Sequence, residues 1–77
     1  MSNVKNLAVS YMWNKAIADK EKARLSLELL TNQAAGIGDH STGDYYKNLD
    51  EALDGLVDAR DRLELLAKEY PEVAEAR

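Results

Sequence analysis

The 77-residue sequence contains no cysteine, no phenylalanine, one histidine and one proline. Without cysteine there is no disulfide and no thiolate metal site, and one histidine is too few for a closed zinc site of His and Cys ligands. A chain of this length buries little of its surface and usually needs a disulfide, a metal or a partner chain. These absences leave an efficient helical core or self-association as the source of stability, and we expect no cofactor and no metal.

Long apolar runs are also absent, because no stretch approaches the roughly 18 residues that a membrane span requires. The first fifteen residues lack the basic start and the continuous apolar stretch of a signal peptide. The lack of cysteine agrees with a reducing compartment. We therefore expect a cytoplasmic protein with no membrane partner.

Acidic residues are in excess, with a net charge of −4, and the charge is unevenly distributed. Residues 1–35 carry five basic and three acidic side chains, whereas residues 36–77 carry five basic and eleven acidic side chains. The acidic second half would repel a phosphate backbone, so a nucleic acid is an unlikely partner. The opposite signs of the two halves favour contact between them, or head-to-tail contact between chains.

The pattern of glycine and proline predicts two long helices. Residues 3–35 contain neither, and they are rich in good helix formers, so we expect helix 1 over about 3–35, with Gly36 as its C-terminal cap. A loop over 36–43 precedes helix 2, expected over about 44–70, and Pro71 ends it before a tail over 71–77. The tail is short enough either to fray or to add one turn. The fold class is all-α, a two-helix antiparallel hairpin forming a single domain over 1–77.

The start of helix 2 has two alternatives. Ser41 with Asp44 has the spacing of a capping box, and so does Asn48 with Glu51. We favour the first, because Tyr45 then falls in phase with the apolar stripe of helix 2.

On helix 2, apolar residues recur every seven positions, and a row of aspartates lies on the opposite side. On helix 1, apolar residues lie on two nearly opposite sides. We call the two sides of helix 1 the first and the second stripe. The first stripe and the heptad positions of helix 2 supply the predicted hairpin core: Val9, Trp13, Leu27, Leu30, Leu49, Leu56 and Leu63. Ala16 and Ala23 also lie in the first stripe, where small side chains would let a partner helix come close. The second stripe is the predicted self-association surface: Val4, Leu7, Tyr11, Ala18, Leu25 and Leu29.

Two opposed stripes on one helix predict neighbours on both sides, and the sequence leaves open which stripe faces helix 2. Full burial of one Leu-sized side chain contributes about 1.5–3 kcal/mol, so an uncovered stripe forfeits several kcal/mol. The simplest cover is a second copy of the chain, which predicts a homodimer in the form of a four-helix bundle.

The segment GIGDHSTGD, residues 36–44, holds the chain's only histidine and three of its four glycines. It does not fit a phosphate loop, because Asp44 stands where that motif needs Lys, and it does not fit a calcium loop, because Gly43 offers no side-chain ligand. Three adjacent residues, Asp39, His40 and Ser41, rarely converge into a catalytic triad. A turn followed by a helix cap explains the segment best, and a weak divalent-cation contact at His40 is the alternative.

The function expected from the residues is therefore non-enzymatic and rests on self-association or another protein–protein interaction. Polar side chains are almost absent from the helix seams, where an active site would need them. The alternative is a regulator that binds a different protein, or that imitates nucleic acid through the acidic side of helix 2. That side carries Asp50, Asp54, Asp58 and Asp61.

With IGDHSTGDYYKNLDEALDGL at its middle, most of the chain resembles small helical proteins of marine tailed phages and ocean metagenome sequences. The resemblance includes no motif of known mechanism, so it assigns no functional residue. It implies an accessory protein expressed in an infected bacterial cytoplasm.

Overall fold

The computed structural model describes residues 3–32 and 42–75 of the chain. These residues form α1 (Asn3–Asn32), α2 (Thr42–Glu69) and the short α3 (Pro71–Glu75), with no strand among them. Met12 lies beside Leu65 at one end of the pair, and Leu30 lies beside Asn48 toward the other. The two long helices therefore run antiparallel, and the predicted all-α hairpin is confirmed.

The start of α2 distinguishes between the two capping alternatives. The helix begins at Thr42, two residues before the predicted start, and Asn48 lies inside it. The alternative in which Asn48 caps the helix is therefore wrong. Ser41, Gly36 and the rest of the predicted loop and helix end over 33–41 lie outside the described residues.

Pro71 separates α2 from α3. Proline cannot donate a backbone hydrogen bond and disfavours a helical conformation at the residue before it, and Tyr70 is accordingly non-helical. The Tyr70 amide still donates to the Leu66 carbonyl at 2.8 Å, and the Val73 and Ala74 amides donate to the Tyr70 carbonyl at 3.1 Å. Of the two predicted behaviours for the tail, the structure shows the added turn, over residues 71–75.

The core is one narrow seam between α1 and α2, made mostly of alanine. Among residues 3–32 and 42–75, six buried residues form this seam, and they recur every seven positions along each helix. They are Val9, Ala16, Ala23, Ala52, Ala59 and Leu66. In an antiparallel pair this spacing sets Val9 opposite Leu66, Ala16 opposite Ala59 and Ala23 opposite Ala52. Because a methyl group is the smallest side chain that still packs, the helix backbones can approach toward the lower end of the usual range of about 8–10 Å.

Gly55 shows how closely the helices approach. A Cβ atom built on Gly55 would lie 3.6 Å from the Cβ of Ala23 on the opposite helix, which is ordinary van der Waals contact. The backbone of α2 therefore lies about one methyl layer from the side chains of α1.

Two contacts join the helices at the ends of the seam. Near the loop, the Tyr45 hydroxyl donates to the Leu30 carbonyl at 2.8 Å. At the other end, the Lys5 ammonium lies 5.5 Å from the centre of the Tyr70 ring, which is within cation–π range. Both contacts fit the register of the alanine seam.

The molecule is long and thin. Its principal extents are 57 × 17 × 14 Å, so its thickness is close to that of one helix with side chains. Its accessible surface is 5912 Å². A compact protein of the same mass, 8.6 kDa, would expose about 4,700 Å². Most side chains are thus in contact with solvent on at least one side.

Candidate protein-interaction surfaces

The residues predicted as hairpin core lie mainly beside the buried seam and not within it. Val9 is buried, whereas the other six are half-buried: Trp13, Leu27, Leu30, Leu49, Leu56 and Leu63. The first stripe of α1 does face α2, which answers the question that the sequence left open. Close contact through alanine moves the larger neighbours outward, because two helices cover completely only the positions directly between them.

One side of the hairpin, which we call the apolar edge, collects most of these half-buried residues. Trp13 lies four positions after buried Val9, and Leu56 and Leu63 lie four positions after Ala52 and Ala59. In two antiparallel helices the same offset from the contact position leads to the same side of the pair. The apolar edge also includes Leu53, which is 51% exposed. Its members are Trp13, Ile17, Leu27, Leu49, Leu53, Leu56 and Leu63.

The opposite side is the polar edge. Ser26 and Asn48 line one groove there, and Met12 and Arg62 line another of about 310 Å³. The two described ion pairs, Lys15–Asp19 at 3.0 Å and Arg62–Asp58 at 3.2 Å, border this side and each lies within one helix. Exposed pairs of this kind contribute little stability, so the two edges differ mainly in their apolar content.

The second stripe of α1 forms the outer face of the helix, turned away from α2. At 100° per residue it is centred about 150° from the buried seam. Ala18 is exposed, and the exposed fractions of the five larger side chains run from 82% to 51%. In order they are Val4, Leu7, Tyr11, Leu25 and Leu29. The residues predicted for self-association thus form one uncovered apolar row along α1.

Charged residues border this outer face with a different sign on each side. Lys15 and Lys22 lie on one flank, on the side of the polar edge, and Glu21 and Glu28 lie on the other. All four are exposed. Lys15 forms an ion pair with Asp19, whereas Lys22 does not take part in that pair. The outer face is therefore an apolar row with one basic and one acidic border.

The outward side of α2 is acidic. Asp50, Asp54, Asp58 and Asp61 are all exposed, and of these only Asp58 belongs to a described ion pair. Within the described part of α2 this side has no apolar row comparable with that of α1, although Val57 is exposed among the aspartates and Leu65 at its margin.

Several exposed apolar residues were not predicted as part of a surface. They are Met12, Tyr46, Val57 and Leu65. Met12 and Leu65 line the 310 Å³ groove together with Tyr11, so they extend the outer face onto the polar edge. Their sequence signal is weak, because neither falls in the heptad positions that defined the stripes.

The loop residues Asp39 and His40 lie outside the described part of the chain, so the proposed turn and the weak cation contact are not described. Asp44 lies in the first turn of α2, where a negatively charged carboxylate interacts favourably with the helix dipole. Among residues 3–32 and 42–75 no three His, Cys, Asp or Glu side chains are grouped as a metal site would require.

Comparison with protein-family models, with curated proteins and with solved structures gives no match to this chain. Within the described residues, neither long helix has a stretch apolar enough to cross a lipid bilayer. The candidate site is therefore defined by the geometry of the hairpin, and consists of the outer face of α1 and the apolar edge.

Proposed function

We propose that the chain is a non-enzymatic interaction module that works by self-association, and that a second copy covers the outer face of α1. The observation that carries the proposal is the row of five large apolar side chains on this face, each at least half exposed. A helix that is apolar on two opposed sides requires a neighbour on each side, and α2 supplies only one.

The free energy at stake is large relative to the stability of a small domain. Burying one Leu-sized side chain contributes about 1.5–3 kcal/mol, and a whole domain is stable by only about 5–15 kcal/mol. Five such side chains in water therefore forfeit an amount comparable with the total. Covering them in a dimer recovers much of it.

The available area is also sufficient. The chain exposes about 1,200 Å² more than a compact protein of its mass would expose. A standard protein–protein interface takes about 800 Å² from each partner. The excess surface of the chain is therefore larger than the area that one partner contributes to such an interface.

The angle between the two sides of α1 determines the shape of this assembly. Because the outer face lies about 150° from the seam, pairing two hairpins through it produces a row of four helices with the two α1 helices in the middle. A square four-helix bundle requires an angle near 90° between the two contact sides of each helix. The proposed dimer is thus a four-helix assembly flatter than the bundle expected from sequence.

A square bundle is the second candidate, and the apolar edge favours it. This edge presents side chains from both helices, including half-buried Trp13 and Leu56 and exposed Leu53. Two hairpins packed edge to edge would place these side chains in a common core.

The two arrangements differ in which single substitution dissociates the dimer. We expect the unaltered chain to have the mass of a dimer by light scattering coupled to size exclusion. Leu25→Glu places a charge on the outer face in both copies and should weaken dimerisation by more than about a hundredfold. Leu53→Glu is the matched control, because Leu53 is exposed to a similar extent but lies on the apolar edge.

The opposite result, a monomer for Leu53→Glu and a dimer for Leu25→Glu, would assign the contact to the apolar edge. A monomer for the unaltered chain across the accessible concentration range would overturn self-association altogether. Circular dichroism of both variants should match that of the unaltered chain, since glutamate is a good helix former at exposed positions.

A further inference from the structure

The charges beside the outer face of α1 carry information about the direction of its partner. The two flanks of the face have opposite signs, with Lys22 on one side and Glu21 on the other, and both side chains are exposed. Charged residues that flank an apolar helix seam set the orientation of helix pairs, because they face one another across the contact.

Symmetry fixes which flanks meet when two identical helices pair. In a parallel pair the two-fold axis runs along the helices, and the left flank of one helix meets the right flank of the other. In an antiparallel pair the axis crosses the helices, and each flank meets its own copy. For this face, a parallel pair sets the glutamate flank of one copy against the lysine flank of the other. An antiparallel pair sets the lysine flank against the lysine flank and the glutamate flank against the glutamate flank.

We infer that the outer face of α1 binds a second copy of α1 in the parallel direction; this inference rests on the proposed function. Each residue of the row then meets the same residue of the second copy: Tyr11 with Tyr11, Ala18 with Ala18, Leu25 with Leu25. The principal charge contact joins Glu21 to Lys22 of the second copy. These two positions differ by one residue, about 1.5 Å, along the helix axis, and the contact occurs twice in the dimer.

The antiparallel alternative places like charges together. With Ala18 at its centre, Lys15 of one copy would lie beside Lys22 of the other, on both sides of the axis. Lys15 is partly neutralised by Asp19 at 3.0 Å, whereas Lys22 lines a groove with Glu51 of α2 but belongs to neither of the described ion pairs. Repulsion between like charges therefore disfavours this direction, while the apolar row itself fits both directions.

Single cysteine variants can test the direction directly, because the natural sequence contains no cysteine. Tyr11 and Leu25 are fourteen residues apart, about 21 Å along the helix. In a parallel dimer Tyr11→Cys and Leu25→Cys should each form an intermolecular disulfide with their own copy under mild oxidation. In an antiparallel dimer at most one of the two positions can lie near the symmetry axis. Asp54→Cys, on the outward side of α2, measures cross-linking by random collision.

Disulfides from both Tyr11→Cys and Leu25→Cys, well above the Asp54→Cys level, are the expected result. A dimer in which the two variants cross-link only when mixed would overturn the parallel direction and leave the proposed self-association intact. A dimer with no cross-linking at either position would overturn both the direction and the choice of the outer face. A monomer with no cross-linking would overturn the proposed function itself.

Charge reversal gives an independent reading without cysteine. In the parallel dimer Lys22→Glu sets glutamate against Glu21 of the second copy, so the dissociation constant should rise by on the order of threefold to tenfold. The double variant Glu21→Lys with Lys22→Glu should restore it. In an antiparallel dimer Lys22→Glu removes the repulsion from Lys15 and should instead tighten dimerisation. Tighter binding by Lys22→Glu would therefore contradict the inference.

Discussion

In α2 most large apolar side chains lie on one broad side, and the opposite side is mainly acidic with exposed Val57 among the aspartates, whereas in α1 they lie on two sides that are about 150° apart. The two helices contribute almost equally to the seam, with two alanines and one larger residue each. They differ in what lies behind the seam: Asp54 and Asp61 on α2, but Tyr11 and Leu25 on α1. In the hairpin the acidic side of α2 is therefore in contact with water, as charged side chains require, whereas the apolar outer face of α1 is left uncovered.

This difference shows that a buried core of small residues can hold two helices together while other apolar side chains stay exposed. Six residues are buried among those described, and only Val9 and Leu66 among them are larger than alanine. Such a seam removes little apolar surface from water. The stability of the chain should accordingly depend on what covers the outer face, and hence on protein concentration.

The strongest test of the comparison is to enlarge one buried and one exposed alanine of α1. Ala16→Leu adds three carbon atoms at a position that is 2% exposed and faces Ala59 across the seam. We expect the free energy of unfolding to fall by about 1–3 kcal/mol, because the helices must separate. Ala8→Leu is the matched control at an exposed position of the same helix, and it should change the unfolding free energy by less than about 0.5 kcal/mol. Chemical denaturation at fixed protein concentration measures both, and equal effects would contradict the alanine seam.

A smaller effect is expected from Tyr45→Phe. This variant tests the hydrogen bond by which α2 stabilises the last described turn of α1. The variant keeps the ring but removes the hydroxyl that donates to the Leu30 carbonyl at 2.8 Å. The unfolding free energy should fall by about 0.5–1.5 kcal/mol. Tyr46→Phe is the control, because Tyr46 is 60% exposed. If the two variants are equally stable, the hydrogen bond does not hold the helix ends together.

The smallest expected effect has the opposite sign. Gly55→Ala replaces a flexible residue inside α2, and its new methyl group would meet Ala23 at an ordinary contact distance of 3.6 Å. The unfolding free energy should rise by about 0.5–1 kcal/mol, since glycine in a helix interior costs that much relative to alanine. Loss of stability, measured as a lower midpoint of thermal unfolding, would show that the helices lie closer together at this point than described.

The helices themselves were predictable from sequence because their signals are local. The absence of glycine and proline over 3–32 and the position of Pro71 determine where a helix can continue. Helical propensity, capping and the proline constraint act within a few residues, so they can be read without knowing the fold.

Which stripe of α1 faces α2 was not predictable, because both stripes are apolar and similar in length. What distinguishes them is the size of the residues: Ala16 and Ala23 allow close approach to Ala52 and Ala59, and this match depends on both helices at once. For the same reason the large residues Trp13 and Leu56 looked like core from their spacing, yet lie half-buried beside it. Spacing identifies the side of a helix that is apolar, but the residue that is deepest depends on how close the helices come.

The uniformity of the alanine seam has a consequence for alignment. Ala16, Ala23, Ala52 and Ala59 have identical side chains at a constant interval, so a slip of one helix along the other by seven residues, about 10.5 Å, would again bring alanine to alanine. After such a slip only one pair of alanines would meet, and the other alanine of each helix would face a larger residue. The correct alignment is therefore selected by this match of sizes together with the dissimilar groups at the two extremities, where Tyr45 reaches Leu30 and Lys5 reaches Tyr70.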